Sequence, residues 1–460
     1  MLHNYKVSGF LSNSYFLSTL LFLIYVFYRS EIIYEGLRDD FYFKYKLLAF
    51  FLIICAILSF FISIKIKFII SIFIFLSVSS IYFLETYFIF MDKKITKYGF
   101  ISDKKKKEYF EKNQIKFDER SKLEIYEDNK KNNKDIVAKY SPGALLKENN
   151  LEIFPLSGIS NKETIYCNEN GFFSKYMSDR YGFNNDDDVW DNDQIEIMIL
   201  GDSYAHGACV DKPDDLVSQL KKISGKNVIT VGYEGNGPLL SFASFKEFSK
   251  GKKINKVIYI FNEDDDLNEI FREIENKILK KYLDDSSFSQ DLTSKQSLVD
   301  EIMSNKLIEY YEKTLGNKNQ KKEIEAKISI SSEIKKFVFF SRFRSKIINE
   351  PINFDEKEFK SLEKIFQNYM NLSKKNDFDF YIVFMPKFER LINPFEINQI
   401  SKIISLAKKF DIKYLDFNES VLKKNQKPLE FFPFQIKGKI DDLNSEGYKI
   451  LAKEIYRMVY

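Results

Sequence analysis

The chain of 460 residues contains only two histidines, His3 and His206, and three cysteines, Cys55, Cys167 and Cys209. No His/Cys cluster has metal-ligand spacing, so no metal or other cofactor is expected. A glycine-rich loop of the phosphate-cradling kind is also missing. Charge of one sign does not dominate: Lys+Arg 70 against Asp+Glu 66 leaves a net +4. The basic runs at 104–107, 317–322 and 334–336 are interleaved with acids and read as solvated helix faces, so no nucleic-acid partner is expected. No internal repeat occurs. The first apolar run lacks both a basic leader and an A-x-A-like site, which argues against a cleaved signal peptide.

Long apolar runs are present, but only at one end. A mean hydropathy of -0.29 conceals uncharged, aromatic-rich stretches at 11–28, 47–64 and 68–84, each near the length that crosses a bilayer as a helix. Residues 1–91 are therefore expected to form three transmembrane helices, with the lipid bilayer as a partner. With three spans, the N-terminus and the Lys65/Lys67 hairpin share one side and the large domain takes the other. Short-loop basic residues, with Lys93, Lys94, Lys97 and Lys104 to Lys107, tilt the count toward a cytoplasmic domain. Long domains translocate largely regardless of charge, and with the cysteines discussed below this sets the expectation of an extracytoplasmic domain.

Residues 92–140 are highly charged and are expected to form a stalk or linker. From 141 the chain is irregular and rich in Gly, Pro and Asn, as a segment that wraps a domain edge would be. Short apolar strands are then predicted at 195–200, 227–232, 256–261, 378–385 and 412–417. Helical periodicity appears at 214–223, 238–249, 355–375, 395–409 and 446–458. This alternation predicts an α/β domain over 141–460 with a doubly wound parallel sheet, whose ligands sit beyond the carboxyl ends of the strands. A charged, mostly helical insertion at about 267–350 separates the third and fourth strands.

The motifs fall at those strand ends. In IMILGDSYAHG, residues 197–207, a strand runs into a Gly-Asp-Ser turn that presents the Ser203 hydroxyl, with Asp202 placed to stabilise the turn by hydrogen bonding. In VITVGYEGNGPLL, Gly232 follows the second strand directly, then Gly235, Asn236 and Gly237, where backbone can approach a ligand closely. KVIYIFNEDDDLNEI ends the third strand, and FFPFQIKGKIDDLNSEGYKILAKEI precedes the last helix.

These blocks resemble the SGNH/GDSL hydrolase superfamily, and more closely its membrane-anchored bacterial members, over about 150–460. The resemblance implies a flavodoxin-like sheet at the bacterial inner membrane and Ser203 as nucleophile, with an oxyanion hole from the Ser203 backbone N–H, Gly232 and an asparagine after the third strand. That asparagine aligns with Asp265, a carboxylate that would repel a developing negative charge; Asn262 lies three residues earlier. The family's histidine base falls at Asp442, with Asn444 two residues on and Lys439 at the position of the usual orienting acid. An aspartate near its ordinary pKa is a poor base for a serine hydroxyl. His206 follows Ser203 on the same tight turn and would have to fold back to serve instead.

Cys55 sits in the second apolar run as a small apolar residue. Cys167 and Cys209 either form a disulfide that pins the wrapping segment beside Ser203 or remain two buried thiols; a bridge would favour an oxidising compartment. The reading adopted is a membrane-anchored, degenerate SGNH-like domain that binds an acylated or glycan ligand, or a partner protein, at the cell envelope. The alternative is an active esterase or O-acyltransferase on envelope glycans that uses Asp442 or His206 as a non-standard base. A third reading is a two-carboxylate site built from Asp265 and Asp442, for a different hydrolysis or a metal.

Overall fold

The structure is a computed structural model, and it describes residues 2–33, 39–95, 103–148, 150–263, 265–316, 334, 337–341, 343–344, 356–386, 400–433 and 442–460. The chain divides into two compact units, Met1–Ile95 with Glu323–Lys357, and Thr96–Lys322 with Glu358–Tyr460.

In the first unit three helices, α1 (Leu2–Phe27), α2 (Asp39–Leu58) and α3 (Ile64–Ile95), carry the long apolar runs. All three are long and apolar enough to cross a membrane, and their apolar windows are only 11%, 17% and 6% buried within the protein. Their large side chains point outward, as at Phe73, Phe75 and Phe83. Some polar groups turn inward instead, Ser12, Ser59 and Lys67 among them. Lys67 Nζ donates to Ser8 Oγ at 2.7 Å, and Ser12 Oγ donates to the Ser59 carbonyl at 3.2 Å.

The second unit begins with α4 (Asp103–Lys112) and α5 (Lys122–Asn132). Phe110, Leu123, Ile125 and Tyr126 are buried there, so the expected stalk is folded domain from Asp103 onward. Ser121 and Glu124 form a reciprocal capping box that fixes where α5 begins. The wrapping segment follows as a small sheet in which β1 (Val137–Ala138) pairs parallel with β2 (Glu163–Ile165), itself antiparallel to β3 (Lys175–Met177).

The main sheet is entirely parallel. Its strands and helices run β4 (Gln194–Gly201), α6 (Ser203–His206), α7 (Leu216–Ser224), β5 (Val228–Thr230), α8 (Pro238–Phe248), β6 (Lys253–Asn262), α9 (Asp266–Glu273), α10 (Lys277–Asp284), α11 (Gln296–Gly316), α12 (Glu356–Asn376), β7 (Asp379–Met385), α13 (Ile400–Lys409), β8 (Lys413–Asp416) and α14 (Ser445–Val459). The strand order β5-β4-β6-β7-β8 is the flavodoxin-like 2-1-3-4-5, whose switch point lies beside the first strand of the sheet, here β4. Each predicted strand forms within two or three residues of its expected ends.

Both faces of the strands are buried, as parallel sheets require. Ile197, Ile199, Ile258, Ile260 and Val383 face α7 and α14 through Leu216, Leu220, Leu451 and Ile455. The other face is aromatic: Tyr369 of α12 stacks on Phe380 with centroids 4.3 Å apart and meets Phe242 edge-on at 4.9 Å.

The insertion divides between the units. Helices α9, α10 and α11 belong to the second unit, anchored by the buried Glu247, which accepts from Tyr282 Oη (2.6 Å), Gln290 N (2.7 Å) and Leu292 N (2.9 Å). The stretch 323–357 groups with the three apolar helices.

Candidate functional site

β4 ends at Gly201, whose φ of +135° and a Cβ that would fall 2.6 Å from the Ile260 carbonyl exclude any side chain. The chain can therefore turn sharply into α6. Asp202 caps that turn, its Oδ1 accepting from the Tyr204 N–H at 3.2 Å. Its Oδ2 accepts from Asn262 Nδ2 at 2.7 Å. Between Gly201 and Val210 only Ser203 is not buried, so the strand-to-helix turn leaves this one residue half-buried at its tip.

Asp442, from the segment before α14, lies beside Ser203, and the Ser203 hydroxyl acts on its carboxyl. Oδ1 of Asp442 has no hydrogen-bond partner among the described residues. Oδ2 lies 3.9 Å from Cys209 Sγ, a contact without a shared proton because that sulfur is oxidised. Cys167 and Cys209 are joined as a disulfide with Cα atoms 5.0 Å apart. The bridge ties the wrapping segment to the Ser203 turn, and Asn170 Nδ2 reinforces it by donating to the Cys209 carbonyl at 2.7 Å. It also carries in Glu169, whose carboxylate lies within 4.8 Å of that of Asp442. Burial pushes the Asp442 carboxyl well above the usual carboxylate range, Glu169 adds to the shift, and the Ser203 hydroxyl draws it back. Asp202 is pushed up to about 7 by burial, opposed by the Asn262 amide and reinforced by Asp265.

The remaining expected residues are placed as follows. His206 is buried among three tyrosine rings, with centroids 4.6 Å from Tyr166, 5.0 Å from Tyr176 and 4.5 Å from Tyr233. Neither ring nitrogen has a hydrogen-bond partner among the described residues, and burial pushes the imidazole down to about 3. Gly232 packs so closely on the Ser203 turn that a Cβ would lie 2.4 Å from Ala205 Cβ. Its N–H donates to Thr230 Oγ1 at 3.0 Å and is thereby occupied.

Gly235 has φ of +80° and lies against Ser141. Asn236 is fully buried, and neither amide atom has a hydrogen-bond partner among the described residues. Asp265 is exposed, whereas Asn262 is buried against the Ser203 turn, with its amide also 3.5 Å from Asp265 Oδ2. Asn444 is committed elsewhere: Oδ1 caps α14 by accepting from Gly447 N at 2.9 Å, and Nδ2 donates to the Glu430 and Phe432 carbonyls at 2.8 and 2.9 Å. Lys439 lies outside the described residues.

Glu169 is the site residue that the motifs do not reveal. The signal for it was the Cys167/Cys209 pair, since a bridge six residues after Ser203 brings whatever follows Cys167 to the site. The carboxylate placed beside Asp442 is thus Glu169, in the position the two-carboxylate reading gave to Asp265.

No family model matches the chain, and no curated protein matches it. Among solved structures, a lipolytic protein of the G-D-S-L family from Desulfitobacterium hafniense DCB-2 is similar over 58% of this chain and 99% of its own, at 12% identity and a TM-score of 0.29. The fold assignment rests on the strand order and register rather than on this likeness.

Proposed function

We propose that the soluble unit is a degenerate SGNH-like domain that binds a hydroxyl-rich ligand, such as an envelope glycan or an acylated form of one, without turning it over. The observation that carries this reading is the acidic, donor-poor surrounding of Ser203. Asp442, Glu169 and Asp202 lie around it, the Gly232 N–H is already occupied, and the imidazole of the turn is sealed among tyrosines. In their ionised form these carboxyls would repel a forming oxyanion, and no preorganised pair of donors stands in their place among the described residues. Sugar hydroxyls, which donate protons, suit the same acceptors.

A second reading, serine esterase or O-acyltransferase, is favoured by the placement of Asp442 beside Ser203. The raised pKa of that carboxyl brings it closer to the operating pH of a general base. Substituting Asp442→His distinguishes the two. A remodelled binding pocket gives no hydrolysis of p-nitrophenyl acetate above background, whereas appearance of Ser203-dependent hydrolysis would show a site lacking only its base and overturn the binding reading.

We place the protein as a multi-pass component of the bacterial inner membrane with its soluble domain outside the cytoplasm. The Cys167–Cys209 bridge supports this, because disulfides persist in oxidising compartments. A C-terminal alkaline phosphatase fusion is expected to be active, and an inactive fusion in stably expressed protein would reverse the topology.

A further inference from the structure

Two lysines from the start of the second unit converge on one carboxylate. Lys122, the first residue of α5, and Lys139, directly after β1, both act on Glu234 in the turn after β5. Lys139 Nζ pairs with Glu234 Oε2 at 2.5 Å, from a side chain only 5% exposed, and lies 5.3 Å from the centre of the Tyr166 ring. Ser141 Oγ donates to the Glu234 carbonyl at 2.5 Å, which holds this turn against the segment that carries Lys139. Lys122 makes no hydrogen bond or ion pair among the described residues. Its ammonium is nevertheless enclosed: burial pushes it down to about 8, Lys139 adds to the shift and Glu234 opposes it. Burial would raise the Glu234 carboxyl, but Lys139 and Lys122 outweigh it and hold the group down at about 2.

The cluster is enclosed and yet accessible. The Glu234 side chain is 41% exposed and Lys122 is half-buried, although burial is the largest single influence on both groups. Groups that water reaches while protein surrounds them on their other sides line a concavity. This one adjoins the Ser203 turn. The Tyr166 ring beside Lys139 packs on that of His206 at 4.6 Å, and the charge of Glu234 acts on both Asp442 and Asp202. Glu234, like Ser203, lies beyond the carboxyl end of a main-sheet strand, where ligands of open α/β sheets bind. Two cations against one anion leave a positive charge in excess, and the three donors of the Lys122 ammonium are uncommitted among the described residues. An oxyanion is the group that answers both.

We propose that Lys122 and Lys139 form an anion subsite beside Ser203, which takes the oxyanion of a polyhydroxylated ligand, a sugar carboxylate or a phosphoryl substituent. The hydroxyls of that ligand meet the carboxyls around Ser203, so the ligand is an acidic glycan or polyol rather than a neutral one. This rests on the binding reading above, and the test separates the two.

The full chain in detergent micelles is treated at pH 8 with limiting acetic anhydride, and acetylation of each lysine is read by mass spectrometry. Lys122 should react ahead of the exposed lysines, whose ammoniums stay protonated at that pH. With ionic strength matched by sodium chloride, galacturonate or inorganic phosphate should protect Lys122 and galactose should not; the stronger of the two anions tells a carboxylate from a phosphoryl ligand. Lys139→Gln should raise the half-protecting concentration about tenfold, as the loss of one charge-assisted hydrogen bond would. Glu234→Gln removes the competing carboxylate and keeps both cations, so it should lower that concentration. An unreactive Lys122, or one that neither anion protects, would overturn the inference and leave the binding reading standing. Protection by acetate equal to that by galacturonate would support the anion subsite and count against the hydroxyl-binding reading at Ser203.

Discussion

Replacing His206 by Phe should abolish a defined part of the protein's acid sensitivity. The imidazole is 1% exposed, surrounded by the rings of Tyr166, Tyr176 and Tyr233, and its pKa is pushed down to about 3 by burial. In the unfolded chain it titrates near 6.5, so between those values the unfolded state binds more protons and stability falls as the pH falls. Between pH 7 and pH 5 the difference integrates to about 2 kcal/mol.

Phenylalanine suits an aromatic enclosure, and no hydrogen bond is lost with the imidazole, so the pH 7 cost should stay under about 1.5 kcal/mol. Raised carboxyls such as Asp202, at about 7, act in the opposite sense but equally in both proteins, so the comparison isolates His206. Urea unfolding of the full chain in detergent micelles, followed by the fluorescence of the single tryptophan Trp190, reads the difference. If the variant loses as much stability at pH 5 as the wild type, His206 is not a buried neutral group and the reasoning fails.

Asp179→Asn should be far more damaging than its isosteric shape suggests. Both carboxylate oxygens accept two donors each, Oδ1 from the Tyr181 and Phe183 N–H groups and Oδ2 from Asn185 Nδ2 and Trp190 Nε1. Whichever way the amide turns, two donors lose their acceptor, at least one of them buried, at about 2–4 kcal/mol in total. The same unfolding assay would show this, and a loss below about 1 kcal/mol would contradict it. Gly232→Ala should destabilise the protein by about 1–3 kcal/mol, because the new methyl overlaps Ala205; an unchanged unfolding midpoint would refute that packing.

Much of the fold was legible in the sequence because burial on both faces of a parallel sheet leaves continuous apolar strands such as IEIMIL and KVIYIF. The Ser203 turn was legible because Gly201 is required by a backbone that admits no Cβ. Long-range partners were not. Nothing local marks Glu169 as a neighbour of Asp442, or His206 as enclosed by tyrosines drawn from the wrapping segment and the turn after β5. Neither does the charge of 103–140 reveal that Phe110, Leu123 and Ile125 anchor it in the domain. Asp442 changed most in meaning. Its residue type predicted a carboxylate of ordinary acidity, whereas its burial beside Glu169 raises it.

The most direct test of the account is fluorophosphonate labelling of the full chain in detergent micelles, with Ser203→Ala as control and circular dichroism to verify folding. The account predicts no labelling of Ser203 in the folded protein, since its neighbouring carboxyls neither take its proton efficiently nor stabilise the negative charge that develops on the phosphoryl oxygen as fluoride leaves. Labelling that disappears in Ser203→Ala would contradict it and identify an activated serine with Asp442 as its base.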